Sequence, residues 1–231
     1  MLSPAELDAL RVSLIVSLTA VAVSLPFGVL FGWLLARRQF FGKSALETVV
    51  NLPLVMPPVV TGYLLLVLFG RNGWLGSLLD RWFGVRLVFD WKGAALAAAV
   101  VSFPLMVRSI RLAFSAVDVR LEQAARTLGA GRLDAFFSVS LPLAWNGVVA
   151  GCVLAFARSL GEFGATAMIA GNIAGRTRTM PLFIYNELEA PGGLERSMGL
   201  VIVSIIVAAA ALVLGEVLER RGRRRLGASD A

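Results

Sequence analysis

The polar side chains best able to do chemistry next to an apolar run are those of Arg158, Ser159 and Glu162, which form one short segment together with Gly161. They follow the uncharged run 139–157, so we predict that they sit at the outer end of a membrane crossing. Ionisable residues near membrane depth are costly and often mark substrate or ion pathways. Because residues four apart are neighbours on a helix, a local ion pair between Arg158 and Glu162 is the plainer alternative.

The usual side chains of nucleophilic and acid–base catalysis are scarce in this chain. It has no histidine, and its one cysteine, Cys152, lies in an apolar stretch. A membrane-embedded hydrolase or transferase would need a nucleophile with a base, or paired carboxylates, at membrane depth. The sequence also lacks the Gly-x-x-x-x-Gly-Lys-Ser/Thr loop that cradles nucleotide phosphates. We therefore predict a non-catalytic chain that binds no metal or cofactor of its own.

Composition places the chain among helical membrane proteins. Apolar residues make up 58% of its 231 positions and charged residues only 16%, whereas soluble chains are about 45–50% apolar. The apolar residues fall into runs near the roughly 20 residues that a crossing helix needs. We predict a single all-α integral membrane domain over 1–231, with five transmembrane helices, or six if 163–173 is a separate short segment. The predicted spans are about 12–36, 48–70, 93–114, 139–160 and 197–215.

The distribution of basic residues predicts the orientation of these spans. More than half of the 22 lysines and arginines fall in 37–44, 108–134 and the arginine-rich tail 219–231. Because an excess of lysine and arginine marks cytoplasmic loops, the N-terminus is predicted outside and the C-terminus inside. The net charge of +7 is then a signature of topology and of contact with anionic lipid, rather than of nucleic-acid binding.

The second apolar run, 48–70, contains Pro53, Pro57 and Pro58. Proline removes a backbone donor and breaks the helical ladder. Broken backbone at membrane depth is tolerated where it lines a cavity or is buried in protein. We predict that this crossing lines a path through the membrane, with freed backbone and Thr61 facing it. A kinked helix used only for packing is the alternative.

The predicted cytoplasmic loop 118–138 should contain a short amphipathic helix. Asp118 is a suitable N-cap, and Gly129 is a suitable stop. Glu122 and Arg126 are spaced to form an i,i+4 ion pair on its polar side. The residues predicted for its apolar side are Val117, Leu121, Ala124, Ala125 and Leu128.

This loop resembles the cytoplasmic signature of the permeases of binding-protein-dependent ABC importers, which is Glu-Ala-Ala, three residues, Gly, nine residues, Ile-x-Leu-Pro. Gln replaces Glu at the first position, directly after Glu122, and Val replaces Ile. The matching residues are Gln123, Ala124, Ala125, Gly129, Val139, Leu141 and Pro142.

The resemblance implies that this segment is a coupling helix that seats in a groove of a cytoplasmic ATPase. It assigns the contact to Glu122, Gln123, Ala124, Ala125, Arg126, Gly129, Leu141 and Pro142. The fold implied is that of an ABC importer permease.

A closer resemblance runs from about residue 10 to 218. Segments 52–60, 102–108 and 157–165 resemble the molybdate-importer permeases, and sulfate permeases are similar around 161–164. The resemblance implies a bacterial inner-membrane homodimer, two ATPase subunits that use ATP and Mg²⁺, and a periplasmic oxyanion-binding protein. The cargo implied is molybdate, with sulfate and tungstate as alternatives. The candidate path or gate residues in such a permease are Pro53, Pro57, Pro58, Thr61, Arg158, Ser159, Gly161 and Glu162. Arg158, Ser159 and Glu162 are alternatively candidates for docking the binding protein.

A stand-alone ion-coupled carrier is the remaining alternative. Such carriers often show internal repeats and ionisable residues at the midplane. The sequence shows neither, and a carrier would leave the loop signature without a purpose.

Overall fold

The computed structural model describes residues 2–225, with side chains described for 2–218 and 220. Within that part the chain is helical and has no strand, which confirms the all-α prediction. The last six residues of the predicted tail, 226–231, lie outside the described residues. The helices are α1 (Pro4–Arg37), α2 (Lys43–Val55), α3 (Pro58–Phe69), α4 (Trp74–Phe83), α5 (Trp91–Ala116), α6 (Val119–Thr127), α7 (Arg132–Ala135), α8 (Leu141–Leu143), α9 (Trp145–Leu160), α10 (Gly164–Ala170), α11 (Met180–Leu188) and α12 (Gly193–Arg225), with a π-helical turn at Phe136–Ser140.

Three helices are long and apolar enough to cross a membrane singly: α1, α5 and residues Gly193–Leu218 of α12. Two further crossings are available if each bent pair is one span. The helices α2 and α3 are bent by 113° at their junction, and the segment Arg132–Leu143 is bent by 68° from α9. The described chain therefore supplies up to five crossings, in agreement with the predicted number.

Helices α1 and α5 form the centre of the bundle and run side by side in the same direction. Val16 of α1 packs with the alanines near the start of α5, and Gly32 packs near its end. A Cβ atom at Gly32 would lie 2.6 Å from Cγ2 of Ile110. Small residues at such positions let helix backbones approach closely within a membrane.

The helix pair α2–α3 extends along α5 from the C-terminal end of α5 to its N-terminal end. Near the start of α2, Glu47 pairs with Arg111 in the last part of α5, at 3.0 Å. At the end of α3, Phe69 packs on the same apolar cluster as Val88, which precedes α5. The two ends of the pair therefore lie at opposite ends of α5, which favours a single broken crossing over a re-entrant loop.

Helices α9 and α10 also lie along α5, in the opposite direction. Gly147 of α9 contacts Ala113 near the end of α5. The carbonyl of Ile169 in α10 accepts the backbone N–H of Phe89, just before α5 begins, at 3.1 Å. The structure therefore continues the predicted crossing 139–160 through α10, which favours α10 as part of that crossing over a separate sixth one.

Candidate functional site

The Arg158–Glu162 segment lies level with the middle of α5, a position here called mid-depth, and not at the predicted outer end of a crossing. The hydroxyl of Ser159 donates to that of Ser102 in α5, at 3.2 Å. At about 1.5 Å per residue, Ser102 is about 17 Å from the start of α5 and about 21 Å from its end. The sequence predicts a crossing that ends near residue 160, whereas the helix only breaks there and resumes as α10.

Glu162 closes this break with two contacts. Its carboxylate lies 2.8 Å from the guanidinium of Arg158 and accepts the backbone N–H of Ala165 at 2.9 Å. The Glu162 side chain is 1% exposed and that of Arg158 is 30% exposed. The carboxylate thus satisfies a donor in the first turn of α10, which has no intrahelical partner. The local ion pair considered for these two residues is present.

The breaks of the two discontinuous crossings meet each other. A Cβ atom at Gly164 would lie 3.1 Å from Cβ of Pro58 and 3.3 Å from the backbone nitrogen of Val59. Helix α3 therefore begins where α10 begins. Transport proteins commonly place substrate sites at such discontinuous helices near the bilayer midplane.

The other predicted path residues differ in their burial and in their distance from these breaks along the chain. Thr61 is buried, and its hydroxyl has no hydrogen-bond partner in the described part of the chain. Pro57 and Pro58 are exposed at the junction of α2 and α3, and Gly161 is exposed at the junction of α9 and α10. Pro53 lies inside α2, on the inner side of the break, where the helix continues through it.

Close approach of α3 to α10 gives a testable consequence at Gly62. A Cβ atom there would lie 2.7 Å from both Cα and the carbonyl oxygen of Ala165, which are backbone atoms that cannot move aside cheaply. We expect Gly62→Ala to destabilise the purified chain by about 1–3 kcal/mol, measured by thermal unfolding in detergent. Gly199→Ala is the control, because its nearest neighbour is a Glu6 side-chain oxygen at 3.4 Å. Equal stability of the two variants would contradict the close packing of α3 on α10.

The predicted loop helix is present as α6. The Asp118 side chain accepts the backbone N–H of Arg120 at 2.9 Å, as an N-cap does. At the other end, Gly129 has a φ of +98°, a conformation that favours glycine. The helix thus lies between the two residues that the sequence indicates as its start and stop.

Glu122 makes a different contact from the predicted one. Its carboxylate lies 3.3 Å from the guanidinium of Arg37 at the end of α1, and it accepts a hydrogen bond from the hydroxyl of Ser140. No ion pair with Arg126 is present among the described residues. Arg37 is itself held by the carbonyl of Val117, at 2.9 Å, so it is well placed to draw Glu122 inward.

Because Glu122 faces the bundle, α6 turns much of its apolar side outward. Leu121 is 47% exposed and Leu128 is 90% exposed. Gln123, Ala124 and Arg126 are exposed as well, and Ala125 is half-buried. Of the predicted apolar side, only Val117 is buried against the bundle. Exposed apolar residues in one place commonly mark an interaction surface.

The second half of the loop signature is joined to the first through Ser140. This residue ends the π-helical turn, is fully buried, and contacts Glu122. Leu141 packs on the apolar cluster at the inner end of α5, and Pro142 is exposed. No local signal in the sequence marks Arg37 and Ser140 as members of this site. In the sequence Arg37 is only one of the basic residues that indicate topology, and Ser140 is the variable position of Val-x-Leu-Pro.

These features define a class: a multi-pass helical membrane protein with two broken crossings that meet at mid-depth and a helical loop exposed at its basic end. The sequence matches the family described as "Binding-protein-dependent transport system inner membrane component" over residues 28–226. The chain belongs to that family, and it is therefore a multi-pass inner-membrane component of a transport system.

Two relatives and one solved structure show how far the similarity extends. The "Molybdenum transport system permease protein ModB" of Escherichia coli K12 is 55% identical, over 98% of this chain and 99% of its own length. The "Sulfate transport system permease protein CysW" of a Synechocystis strain is 36% identical, over 93% of this chain and 77% of its own length. The crystal structure of a bacterial ABC transporter that imports alginate superposes with a TM-score of 0.73, at 16% identity over 95% of this chain and 80% of that one. At that identity the likeness concerns the fold alone.

Proposed function

We propose that this chain is the membrane-spanning permease subunit of an ATP-driven ABC importer and that it forms the translocation pathway for molybdate. The observation that carries the proposal is the 55% identity to a molybdenum permease across nearly both full lengths. Identity to a sulfate permease is lower, at 36%. Sulfate and tungstate, which are tetrahedral dianions of the same shape, are the alternative cargoes.

The orientation proposed places the N-terminus in the periplasm and the C-terminus in the cytoplasm. The end of α1 at Arg37 lies beside α6, and α5 ends just before α6. Gly199 of α12 lies near Glu6 at the start of α1, and Gly215 lies near Val153 in the middle of α9. Helix α12 therefore runs in the same direction as α1. The end of the bundle beside α6 carries the basic segments of the chain, and such segments favour the cytoplasmic side.

A reporter fusion tests this orientation. We expect alkaline phosphatase fused after Arg225 to be inactive and a fluorescent protein fused there to be bright, as for a cytoplasmic end. The same reporters inserted after Gly84, in the segment between α4 and α5, should give the opposite pair of signals. A periplasmic signal after Arg225 would overturn the five-crossing topology.

We propose that α6 docks on a cytoplasmic ATPase. Of the residues assigned to this contact, Gln123, Ala124, Ala125, Arg126, Gly129 and Pro142 would meet the partner, whereas Glu122 and Leu141 hold the segment to the bundle. The exposed Leu121 and Leu128 add apolar surface to this face. The sequence carries no phosphate loop, so ATP and Mg²⁺ would be used by the partner and this chain would be non-catalytic. The assembly proposed is two copies of this chain, two ATPase subunits and a periplasmic oxyanion-binding protein.

The contacts of α6 suggest how ATPase movement would reach the pathway. Glu122 ties α6 to Arg37 of α1 and to Ser140, which leads through α8 into α9. A pull on α6 would therefore move the inner ends of two crossings together. The far end of α9 meets α10 and α3 at the mid-depth breaks, where alternating access would open and close the path.

The mid-depth charges are already paired, which suits a conducting site. Glu162 holds Arg158, so a dianion would not meet an unpaired arginine. It would meet backbone groups and hydroxyls such as those of Ser159 and Thr61, which are buried in this conformation and would be exposed by the alternating-access movement. Transport requires binding that is favourable enough for entry and weak enough for release.

Purification of the tagged full-length chain distinguishes an importer subunit from a stand-alone carrier. We expect a phosphate-loop ATPase to co-purify, and proteoliposomes to take up molybdate only with that ATPase, internal ATP and the binding protein outside. Uptake by liposomes that contain this chain alone would favour the carrier.

A further inference from the structure

A cavity of about 500 Å³ opens at the inner end of α1, between α1, α6 and α7. Its floor is apolar and aromatic and its rim is basic. The floor comprises Leu30, Trp33, Leu133 and Phe136, and the rim comprises Arg38, Arg126 and Arg132. Glu122, the one acid of its lining, is already held by Arg37 at 3.3 Å.

The rim of this cavity carries unneutralised positive charge. None of Arg38, Arg126 and Arg132 forms an ion pair with the side chains of residues 2–218 and 220. The guanidinium of Arg38 lies over the ring of Trp33, 5.7 Å from its centroid. The cavity is therefore complementary to an amphipathic anion, with the anionic group at the basic rim and an apolar group on the floor.

The apolar floor continues into a stripe on the outside of α1. Val23, Phe27 and Leu30 are each more than half exposed, and their spacing places them on one face of the helix. Since α1 crosses the membrane, hydrocarbon chains can cover this stripe. Trp33 marks its inner end, where aromatic rings favour the headgroup level.

We infer that this cavity binds an anionic phospholipid of the cytoplasmic leaflet. The phosphate lies among Arg38, Arg126 and Arg132, and an acyl chain follows Leu30, Phe27 and Val23. A soluble phosphate would use the rim but not the floor or the stripe. Basic pockets between transmembrane helices on this side of the membrane suit such headgroups. The bound lipid would join α1 to α6 and α7 beside the Glu122–Arg37 contact.

The test titrates the full-length chain, in neutral detergent micelles, with phosphatidylglycerol or phosphatidylcholine and counts bound lipids by native mass spectrometry. We expect phosphatidylglycerol to bind at least tenfold more tightly than phosphatidylcholine. The variant R38Q/R132Q should bind phosphatidylglycerol about thirtyfold more weakly, because each arginine near a headgroup contributes roughly a factor of five. Both substitutions leave α6 unchanged, so the result does not depend on ATPase docking.

Two controls separate this site from general surface charge and from a soluble anion. R71Q/R81Q removes the same charge from exposed arginines at the other end of the bundle, and should leave the affinity within twofold. L30Q should weaken phosphatidylglycerol binding while leaving every arginine in place.

Equal binding of the two lipids, or an equal loss in R71Q/R81Q, would overturn the inference. Displacement of phosphatidylglycerol by millimolar inorganic phosphate, with no effect of L30Q, would show a soluble-anion site instead. Displacement by the bound ATPase would assign the surface to that partner.

Discussion

Gly129→Asp is expected to reduce co-purification of the ATPase at least tenfold while the chain still inserts into the membrane. Gly129 ends α6 with a φ of +98°, which an aspartate adopts only with strain. A Cβ atom there would meet nothing within 4 Å, so the substitution does not disturb the packing of this chain. Its effect falls on the end of α6 and on the surface beside Leu128, where a new carboxylate would enter the proposed interface.

Gly84→Asp is a matched control for Gly129→Asp. Gly84 also has a positive φ, of +62°, and also faces open space, but it lies between α4 and α5 at the other end of the bundle. We expect ATPase recovery with this variant to equal that of the unsubstituted chain. Undiminished co-purification with Gly129→Asp would refute the docking role of α6, whatever the behaviour of the control.

Glu162→Ala is expected to destabilise the chain by about 3 kcal/mol and to reduce ATP-driven uptake strongly. The substitution leaves Arg158 without its partner and leaves the N–H of Ala165 without its acceptor. Breaking a buried ion pair from one side costs about 3–5 kcal/mol, and the partial exposure of Arg158 places this case near the lower limit. Thermal unfolding of the purified chain in detergent measures the change.

The double variant Arg158→Met/Glu162→Gln distinguishes the cost of an unpaired buried charge from the cost of losing the ion pair itself. It removes both charges and keeps an amide oxygen that can accept from Ala165, so it should be more stable than Glu162→Ala. Glu187→Ala is the surface control, because the Glu187–Arg196 contact is longer, at 3.5 Å, and Arg196 is 60% exposed; its cost should be below about 1 kcal/mol. Equal losses for Glu162→Ala and Glu187→Ala would contradict a structural role for the mid-depth pair.

Local chemistry made α6 predictable from the sequence. An aspartate cap, helical spacing and a glycine stop are read from neighbouring residues, and the helix begins and ends where they indicate. The partner of Glu122 was not predictable in this way. The i,i+4 rule favours Arg126, whereas the folded chain supplies Arg37 from 85 positions earlier, together with Ser140.

The mid-depth site shows the same limit. The sequence shows prolines in one crossing and a Gly-Glu-Phe-Gly interruption after another, and both breaks are present. Their depth depends on the register of α9 against α5, which the Ser159–Ser102 contact establishes. A hydropathy pattern ends a span at its first charged residues, so it placed Arg158 and Glu162 at a membrane surface. The meeting of Pro58 with Gly164 depends on tertiary packing and has no local signal.

Uptake of radiolabelled molybdate by cells that lack this chain, with and without its restoration, tests the proposed function most directly. We predict that restoration returns ATP-dependent uptake, and that tungstate blocks this uptake while excess sulfate does not. Inhibition by sulfate at a concentration comparable to that of tungstate would contradict the assignment to molybdate. Failure of the chain to restore any uptake would contradict its role as the molybdate pathway.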